Sequence, residues 1–565
     1  MDSKYNFIGK FKNFIDSCDE VYLIDAANKG LYKRALKEID KGIEVDVEFQ
    51  DNKVICKLSD ETTCELTDEI LNYKCRCSSR SICKHVLISI LYIKQNIDSI
   101  FGQEIVPEGN EDEQPKDFSW VLNYSIEDIK KEMSSKNFKD IIFRLNFGRD
   151  IEIKEENFLV VDFKDSNIRV RFTQNSSIDK STCTCKKKEF CVHRAEAIIC
   201  YKLYKNILDM NDINEAVDVK ISKEALDEVK NLIEEITILG LAKIPESIIN
   251  RIEATAVLCH SADLPRLEKL LRSLSSHLIK YFNKQASFSK RAVIKLMTRI
   301  YIIAQTILKC NSKALCQDLI GEHKTSYTEI SLIELVGMGA KAWKSDSGYE
   351  GITYYFFNEK RKLWMTFTSM KPNYYEGSKI DIDYMYRSSC PWNLDALMKD
   401  VCRMKIKFNN CKINRNYRIS SSSEISGDII GKTDINKMDF KDKLYDDWEL
   451  MIEKLKDGFK YKLIEKDENF NIVLVKISSW GKSDFDNINQ IFRIPIHDKN
   501  NNEIFITVRF DHNTKSVIRK LEKLEKDDML GNMILGKVYR IDSEYVVDPI
   551  TMYNSNGDIV NLTLD

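Results

Sequence analysis

The sequence lacks the features that would send it to or through a membrane. The 565-residue chain contains no stretch of about 18 apolar residues without charge, so no membrane-spanning helix is predicted. Residues 1–20 have no apolar run between a basic start and a small-residue cleavage site, so no signal peptide is predicted. From these absences we expect a cytoplasmic protein that has no membrane partner.

An excess of charge of one sign is also absent. The chain has 86 Lys and Arg against 88 Asp and Glu, which gives a net charge of −2. Any surface that binds nucleic acid would therefore have to be a local patch. Hydrophobic residues make up 43% of the chain, which is ordinary for soluble globular proteins and is enough to form real cores. A chain of this length exceeds one core, and at roughly 100–200 residues per domain it should form several domains.

Motifs of the common enzyme classes are missing as well. The chain has neither the His-Glu-x-x-His motif of metalloproteases nor the Gly-x-Ser-x-Gly motif of hydrolases. Residues 531–537 match the glycine and lysine spacing of a phosphate loop, but Val538 replaces the Ser or Thr that binds magnesium. We interpret this segment as a turn into a strand. The sequence therefore predicts a protein that is not an enzyme, and an enzyme with an unrecognised site in residues 325–565 is the alternative.

Cysteine, in contrast, is present at 16 positions and is concentrated in two places. Residues 75–85 read CRCSSRSICKH and residues 183–193 read CTCKKKEFCVH. Both segments have the pattern Cys-x-Cys, five residues, Cys-x-His, and each ligand of the second copy lies 108 positions after its counterpart. In a reducing compartment, cysteines at such short spacings indicate metal binding or catalysis rather than disulfides.

Four thiolate and imidazole ligands are the set that zinc prefers, and a site closed by four protein ligands is of the structural type. The predicted ligands of two zinc ions are Cys75, Cys77, Cys83 and His85 for the first, and Cys183, Cys185, Cys191 and His193 for the second. Buried, reduced cysteines that hold no metal are the alternative.

The sequence around the two cysteine patterns repeats too. Alternating, strand-like segments precede each pattern: GIEVDVEF and NKVICKLS before the first, FLVVDF and NIRVRFTQ before the second. A helical pattern follows each histidine, in HVLISILYIKQNI and HRAEAIICYKLYKNI. The repeated unit is predicted to be a small β-sheet, a metal-binding knuckle and a helix that begins near the histidine.

This arrangement resembles the SWIM zinc finger, whose pattern is Cys-x-Cys, a variable gap and Cys-x-His. Both copies match at all four ligand positions, and the resemblance covers residues 40–100 and 150–205. It implies a protein that binds DNA or other proteins, often within a larger assembly. The resemblance does not choose between these two kinds of ligand.

Basic residues surround both knuckles and are candidates for contact with nucleic acid. They are Lys74, Arg76, Arg80 and Lys84 at the first knuckle, and Lys186, Lys187, Lys188 and Arg194 at the second. Such residues could contact phosphate groups of DNA or RNA. The alternative is that these cations offset the negative charge of zinc-bound thiolates, or that they are simply solvated lysines of an exposed loop.

The remainder of the chain changes its pattern twice. Apolar residues at helical spacing predict a helical bundle up to about residue 320, and the bundle includes the pair Cys259-His260, which we interpret as packed core or a helix-end neighbour. Strand patterns dominate beyond residue 325. The strand count of the last segment suggests an OB-like barrel.

The fold class is thus a multidomain α+β protein with two β-sheet, zinc-knuckle and helix units, a central helical bundle and a β-rich C-terminal half. The predicted domains are 1–104 and 117–211 for the two SWIM units, 212–324 for the helical domain, 325–437 for a β-rich domain and 438–565 for the last β-rich domain.

A wider resemblance covers most of the chain. The segments AVLCHSADLPRLEKLLRSLSSHL and ELVGMGAKAWKSDSGYEGITYYFF are similar to bacterial SWIM zinc-finger proteins. The genes of that group are often found beside MoxR-type AAA+ ATPases and von Willebrand A-domain proteins. The resemblance implies a non-enzymatic zinc-binding subunit of an ATP-driven complex. Its partners would be an ATPase and a von Willebrand A-domain protein of these two classes. The fingers themselves would bind a protein, DNA or RNA.

Overall fold

The chain divides into two compact units, Met1–Ile213 and Asn214–Asp565. The computed structural model describes residues 2–68, 70, 72–79, 81–102, 117–156, 158–174, 177–187, 189–345, 349–372, 381–460, 469–511, 514–527, 530–541 and 544–565. The first unit holds both predicted SWIM units. The second holds the predicted helical domain and both predicted β-rich domains.

The first unit contains ten helices and eight strands in its described residues. The helices are α1 (Asp2–Ser17), α2 (Glu20–Ala26), α3 (Lys29–Asp40), α4 (Lys84–Gln95), α5 (Ile97–Phe101), α6 (Ser119–Asn123), α7 (Ile126–Lys131), α8 (Ser135–Phe147), α9 (Val192–Tyr204) and α10 (Met210–Glu215), the last of which crosses the boundary between the units. The strands are β1 (Val45–Phe49), β2 (Val54–Leu58), β3 (Thr63–Leu66), β4 (Lys74–Cys75), β5 (Ile151–Glu155), β6 (Phe158–Phe163), β7 (Ile168–Thr173) and β8 (Thr182–Cys183).

The two repeats have the same topology. Strands β1 to β4 form one antiparallel sheet in sequence order, and strands β5 to β8 form a second. The last strand of each sheet is two residues long and carries the first cysteine of the pattern. Helix α4 or α9 then follows the third cysteine and is buried along most of its length. The predicted order of sheet, knuckle and helix is confirmed in both copies.

Helix α2 connects the two repeats into one body. The ring of Tyr22 stacks on Phe158 of the second repeat, with ring centroids 5.2 Å apart. The carboxylate of Asp25 accepts from two arginines of β7, Arg169 and Arg171, at 3.1 Å each. Phe158 is accordingly part of the hydrophobic core of the first repeat. The two predicted SWIM units therefore share an interface and are not independent domains joined only by a linker.

A buried ionic network lies behind the second knuckle. Glu196 on α9 has no solvent exposure, and its carboxylate binds Arg144 at 2.8 Å and Arg149 at 2.9 Å. Arg149 also binds Asp165 at 2.9 Å and lies over the ring of Phe163. The network ties the helix that follows the knuckle to α8 and to the turn between β6 and β7.

The second unit begins with five helices that form the predicted bundle. They are α11 (Lys223–Leu239), α12 (Ile248–Ser261), α13 (Pro265–Phe282), α14 (Lys290–Lys309) and α15 (Lys313–Ile320). Ser222 caps α11 by accepting from the backbone N–H of Ala225, as a serine before a helical pattern predicts. The apolar stripes of the helices meet in one core that includes Cys259, whose side chain is fully buried.

Strands dominate the rest of the second unit. The first sheet consists of β9 (Thr328–Lys344), β10 (Tyr349–Asn358), β11 (Leu363–Pro372), β12 (Met404–Ile413) and β13 (Ser426–Lys432), in the order β11-β10-β9-β12-β13. Two short helices, α16 (Ile382–Tyr386) and α17 (Met398–Val401), lie between β11 and β12 in the chain. The aromatic side chains of this sheet contribute to its core, and the buried ones include Tyr354, Tyr355, Phe356, Phe357 and Trp364.

The second sheet has nine strands in its described part. They are β14 (Leu444–Tyr445), β15 (Ile472–Lys476), β16 (Ser479–Trp480), β17 (Asp484–Asp486), β18 (Ile491–His497), β19 (Glu503–Arg509), β20 (Met533–Ile541), β21 (Glu544–Tyr553) and β22 (Ile559–Asn561). Helix α18 (Trp448–Lys460) lies between β14 and β15 in the chain, and helix α19 (Lys515–Lys526) lies between β19 and β20. The main path runs β14-β15-β20-β21-β19-β18-β16, with β17 on β18 and β22 on β21. In the described residues this is a larger and open sheet, which differs from the small OB-like barrel suggested by the strand count.

The two sheets of the second unit pack against each other. Met338 and Phe357 of the first sheet share a core with Leu535 and Tyr553 of the second. Gly339 lies at the closest approach, where an added Cβ would stand 2.0 Å from the hydroxyl of Thr551. The backbone of Gly339 has a φ of +144°, which side chains other than hydrogen rarely allow. Two predicted domains thus meet in one core, and the overall fold is the predicted α+β mixture.

No helix within the described ranges is both long enough and apolar enough to cross a membrane.

We predict that Glu196→Ala destabilises the first unit by about 3–5 kcal/mol, because it removes the carboxylate that Arg144 and Arg149 share in a largely buried site and leaves Arg149 with Asp165 alone. The measurement is the urea midpoint at which the protein releases its zinc to a coloured chelator. The control is Glu155→Ala, which removes a half-exposed partner 2.7 Å from Lys205 and should cost less than about 1 kcal/mol. Equal shifts in the two variants would contradict a structural role for the buried network.

Candidate metal centres

The first predicted ligand set converges in the structure. The donor atoms of Cys75, Cys77, Cys83 and His85 all lie within 4.8 Å of one another. Nδ1 of His85 is 3.9 Å from Sγ of Cys75 and 3.8 Å from Sγ of Cys83. A tetrahedron with zinc–sulfur bonds of about 2.3 Å and zinc–nitrogen bonds of about 2.0 Å separates its donors by roughly these distances. The four side chains fit one zinc ion without a large rearrangement.

The second ligand set has the same geometry. The donor atoms of Cys183, Cys185, Cys191 and His193 also lie within 4.8 Å of one another. Nδ1 of His193 is 3.8 Å from Sγ of Cys183, and the same ring nitrogen therefore faces the thiols in both copies. The structure brings all eight predicted ligands together in two sets of four.

Two local structures position the ligands of each set. The first cysteine lies on a two-residue strand, β4 or β8, which is held by hydrogen bonds to the preceding strand. The third cysteine is the N-cap residue of α4 or α9, so the histidine falls in the first turn of the helix. A helix N-terminus stabilises negative charge, which favours the thiolate form that zinc requires. In the second knuckle the turn closes through a hydrogen bond from the backbone N–H of Lys186 to the carbonyl of Cys183, at 2.9 Å.

The thiols of the metal-free clusters differ in their acidity. Burial raises the pKa of Cys75 and that of Cys83 to about 12 each. The pKa of Cys77 is lowered in spite of burial, by hydrogen bonds from the backbone N–H of Ser79 and with the two neighbouring thiols. In the second cluster, hydrogen bonding from Cys183 lowers the pKa of Cys191 to about 3 and raises that of Cys183. Cys75 and Cys83 of the first cluster and Cys183 of the second are therefore protonated thiols at neutral pH, whereas Cys191 is a thiolate. Zinc binding must then release protons, and zinc affinity falls as the pH falls.

Asp60 supports the first site, and the sequence patterns gave no reason to single it out. Its Oδ2 lies 3.3 Å from Nε2 of His85, the ring nitrogen that faces away from the thiols. Its Oδ1 accepts from the backbone N–H of Thr62 at 3.0 Å, which fixes the carboxylate in the turn between β2 and β3. A carboxylate on the outer nitrogen orients a metal-binding histidine and fixes its tautomer.

Cys64 is a further thiol beside the first site. It lies opposite Cys75 in the β3–β4 pairing, is fully buried, and its Sγ is 3.3 Å from Sγ of Cys75. Burial raises the pKa of Cys64 to about 12, so it is a thiol that can donate to the neighbouring sulfur. In the second repeat Val170 lies opposite Cys183 instead. In the sequence Cys64 stands outside the repeated spacing, so the cysteine pattern does not single it out.

Arg194 supports the second site. Its side chain is only 3% exposed and donates to the carbonyl oxygens of Ser181, Lys187 and Glu189 at 2.8–2.9 Å. The same guanidinium lies 3.6 Å from Sγ of Cys191. Val86 takes the corresponding position after the histidine of the first site. Arg194 is therefore placed where it could offset the negative charge of zinc-bound thiolates, and it does not reach the surface where a phosphate could contact it.

The other basic candidates have different positions. Lys74, Arg76 and Lys187 are exposed, and Lys84 is half-buried at the start of α4. Lys186 is exposed along most of its side chain, but its Nζ donates to the carbonyl of Ala27 at 2.5 Å. Arg80 and Lys188 lie outside the described residues.

Comparisons of the chain with family models, with curated proteins and with solved structures give no match.

We predict that purified protein contains two zinc ions per chain, that Cys75→Ser and Cys183→Ser each retain one, and that the double variant retains none. The reason is that each serine removes one of the four ligands on which a closed site depends. Metal content by mass spectrometry is the measurement, and Cys259→Ser is the control because Cys259 is packed in the core of the helical bundle and belongs to neither cluster. Protein without zinc after purification free of chelator and oxidant would refute the assignment.

We also predict that Asp60→Asn weakens zinc binding at the first site about 10–100-fold, the usual effect of losing a carboxylate behind a metal-bound histidine. The test is competition with a chelator in the Cys183→Ser background, where only the first site reports. The same substitution in the Cys75→Ser background is the control and should leave the second site unchanged. An equal loss in both backgrounds would mean that Asp60 acts on the fold of the unit rather than on His85.

Proposed function

We propose that this chain is a non-enzymatic binding protein with two SWIM-type zinc fingers and that it acts as a subunit of a larger assembly. The observation that carries the proposal is the two complete Cys3His clusters, which leave zinc no open position for water. Metal in such a site stabilises a surface and does not activate a substrate. The SWIM assignment within this proposal rests on the ligand pattern.

A protein partner is the ligand we favour. Two of the eight basic candidates already have partners within the unit, because Arg194 is buried against carbonyl groups and Lys186 donates to Ala27. The acid Glu189 is exposed in the second knuckle, and Glu65 binds Lys53 beside the first. The exposed charge of the knuckles is thus more mixed than their sequences suggest, which suits a protein surface better than a phosphate backbone.

The partners that we propose are a MoxR-type AAA+ ATPase and a von Willebrand A-domain protein. Both come from the resemblance to bacterial SWIM proteins. ATP hydrolysis would then be supplied by the ATPase, since the sequence has no complete phosphate loop. This division of work is consistent with a chain whose metal sites are structural.

Nucleic-acid binding is the second candidate. It is supported by the exposure of Lys74 and Arg76 at the first knuckle and of Lys187 at the second. If these side chains contacted phosphates, affinity would fall steeply with salt, by a slope that counts the contacts.

The decisive variant reverses the three exposed charges: Lys74→Glu, Arg76→Glu and Lys187→Glu together. If the main ligand is a protein, we expect weak DNA and RNA binding at physiological salt and no change in it beyond that of a control. The control reverses Lys33, Arg34 and Lys37, three exposed charges of the same unit on helix α3. The measurement is fluorescence anisotropy with labelled DNA and RNA over a range of salt, after both variants are shown to keep two zinc ions.

If DNA or RNA binds tightly, its affinity falls steeply with salt, and only the knuckle variant loses that binding, then nucleic-acid binding would replace protein binding as the proposed function. Direct support for the first candidate would be co-elution with a purified MoxR-type ATPase from the same source, lost in the Cys75→Ser, Cys183→Ser double variant. Failure of both assays would overturn a binding role for the fingers.

A further inference from the structure

A third group of metal-binding side chains lies at one end of the helical bundle. It consists of His260, Glu268 and His323, whose donor atoms all lie within 4.8 Å of one another. Nδ1 of His260 is 2.9 Å from Oε2 of Glu268, and Nδ1 of His323 is 3.8 Å from the same oxygen. The two imidazole rings are 4.8 Å apart between centroids. None of these residues belongs to either finger.

The fold brings these side chains together from two places in the chain. His260 is in the last turn of α12 and Glu268 is in the first turn of α13, so the tight turn between the helices sets their separation. The backbone N–H of Leu264 donates to the carbonyl of Cys259 at 2.8 Å and closes that turn. His323 comes from the segment after α15, and Gly321 starts this segment with a φ of +81°.

The segment that carries His323 is anchored on both sides of the histidine. The carbonyl of Glu322 accepts from Nζ of Lys269 on α13 at 3.3 Å. Its carboxylate accepts from the backbone N–H of Ser326 at 3.1 Å and also binds Arg415 at 3.5 Å. His323 is therefore held near the helix pair, although its side chain is partly exposed.

A second layer of groups orients the three side chains. Nε2 of His323, the nitrogen that faces away from Glu268, lies 3.0 Å from Oδ1 of Asp263. Asp263 has a φ of +57°, a left-handed conformation that is unusual for a residue with a side chain. Arg272 binds the other oxygen of Glu268, Oε1, at 3.2 Å and leaves Oε2 directed at the two histidines. A carboxylate behind a histidine and a second partner on a ligating carboxylate are the supports that metal sites use.

The donor set of the group suits a metal ion. One carboxylate oxygen of Glu268 faces the imidazoles of both histidines. One divalent cation can take a lone pair from each neutral ring and share the carboxylate. Two imidazoles and one carboxylate are ligands that zinc, cobalt and nickel accept.

We propose that His260, Glu268 and His323 form a third metal site, which binds a divalent transition-metal ion of the zinc class. Three protein ligands leave the ion a position that is open to solvent, for water or for a donor group of a partner. His260 is largely exposed, with 63% of its side chain accessible, so this site exchanges its metal more readily than the closed fingers do.

The test starts from full-length protein that already holds two zinc ions in its fingers and titrates it with cobalt by calorimetry and absorption spectroscopy. We expect one further equivalent to bind, and its spectrum should lack the thiolate-to-cobalt charge-transfer band because no cysteine is a ligand. His260→Ala and His323→Ala should each weaken this equivalent about tenfold or more, and Asp263→Asn should weaken it to a smaller extent.

The matched control is His277→Ala. His277 lies on the same helix as Glu268, and its Nδ1 faces the carbonyl of Ser273 at 2.9 Å, outside the cluster. The control should bind the third equivalent like the unchanged protein, and every variant should keep two zinc ions and its helical circular dichroism. Absence of a third equivalent at micromolar cobalt would overturn the proposal. A third equivalent that persists in the His260→Ala, His323→Ala double variant would overturn it equally.

Discussion

The meeting of a two-residue strand with the first turn of a helix is the constraint on which the finger unit depends. The strand supplies the first cysteine and the helix supplies the third cysteine and the histidine. Few hydrogen bonds hold so short a strand, so a metal that bridges strand and helix adds much of the local stability. Structural zinc contributes about 10–16 kcal/mol in small units of this kind, and that free energy is coupled to folding.

The two sites balance their charge in different ways. A zinc ion with three thiolates and a neutral imidazole has a formal charge of −1, and burial of that charge requires compensation. At the second site the buried Arg194 supplies it from 3.6 Å. At the first site Val86 replaces the arginine, and Asp60 adds a further negative charge behind the histidine. The exposed cations Lys74 and Arg76 near the first knuckle could then offset the negative charge of the zinc site, so their presence does not require a phosphate ligand.

The ligands could be predicted from the sequence because they follow a local rule. All four donors of each site lie within eleven consecutive residues, and the same spacing occurs twice. The strand before each knuckle and the helix after it follow from alternating and helical apolar patterns for the same reason. Asp60 and Cys64 could not be found in this way, since they approach the site through strand pairing and not through spacing. For Arg194 the sequence leaves open both phosphate contact and offset of the thiolate charge, because spacing does not show that a charged side chain turns inward.

The same distinction explains why the His260, Glu268 and His323 group has no motif. His260 and Glu268 meet across a helix turn, and His323 arrives from a different segment, so no short pattern contains all three. Closed sites need four ligands on a compact knuckle and therefore leave a dense signature in the sequence. An open site needs only three, and a folded bundle can supply them from distant positions. A sequence is consequently better at revealing the metals that hold a protein together than those that remain accessible to solvent and partners.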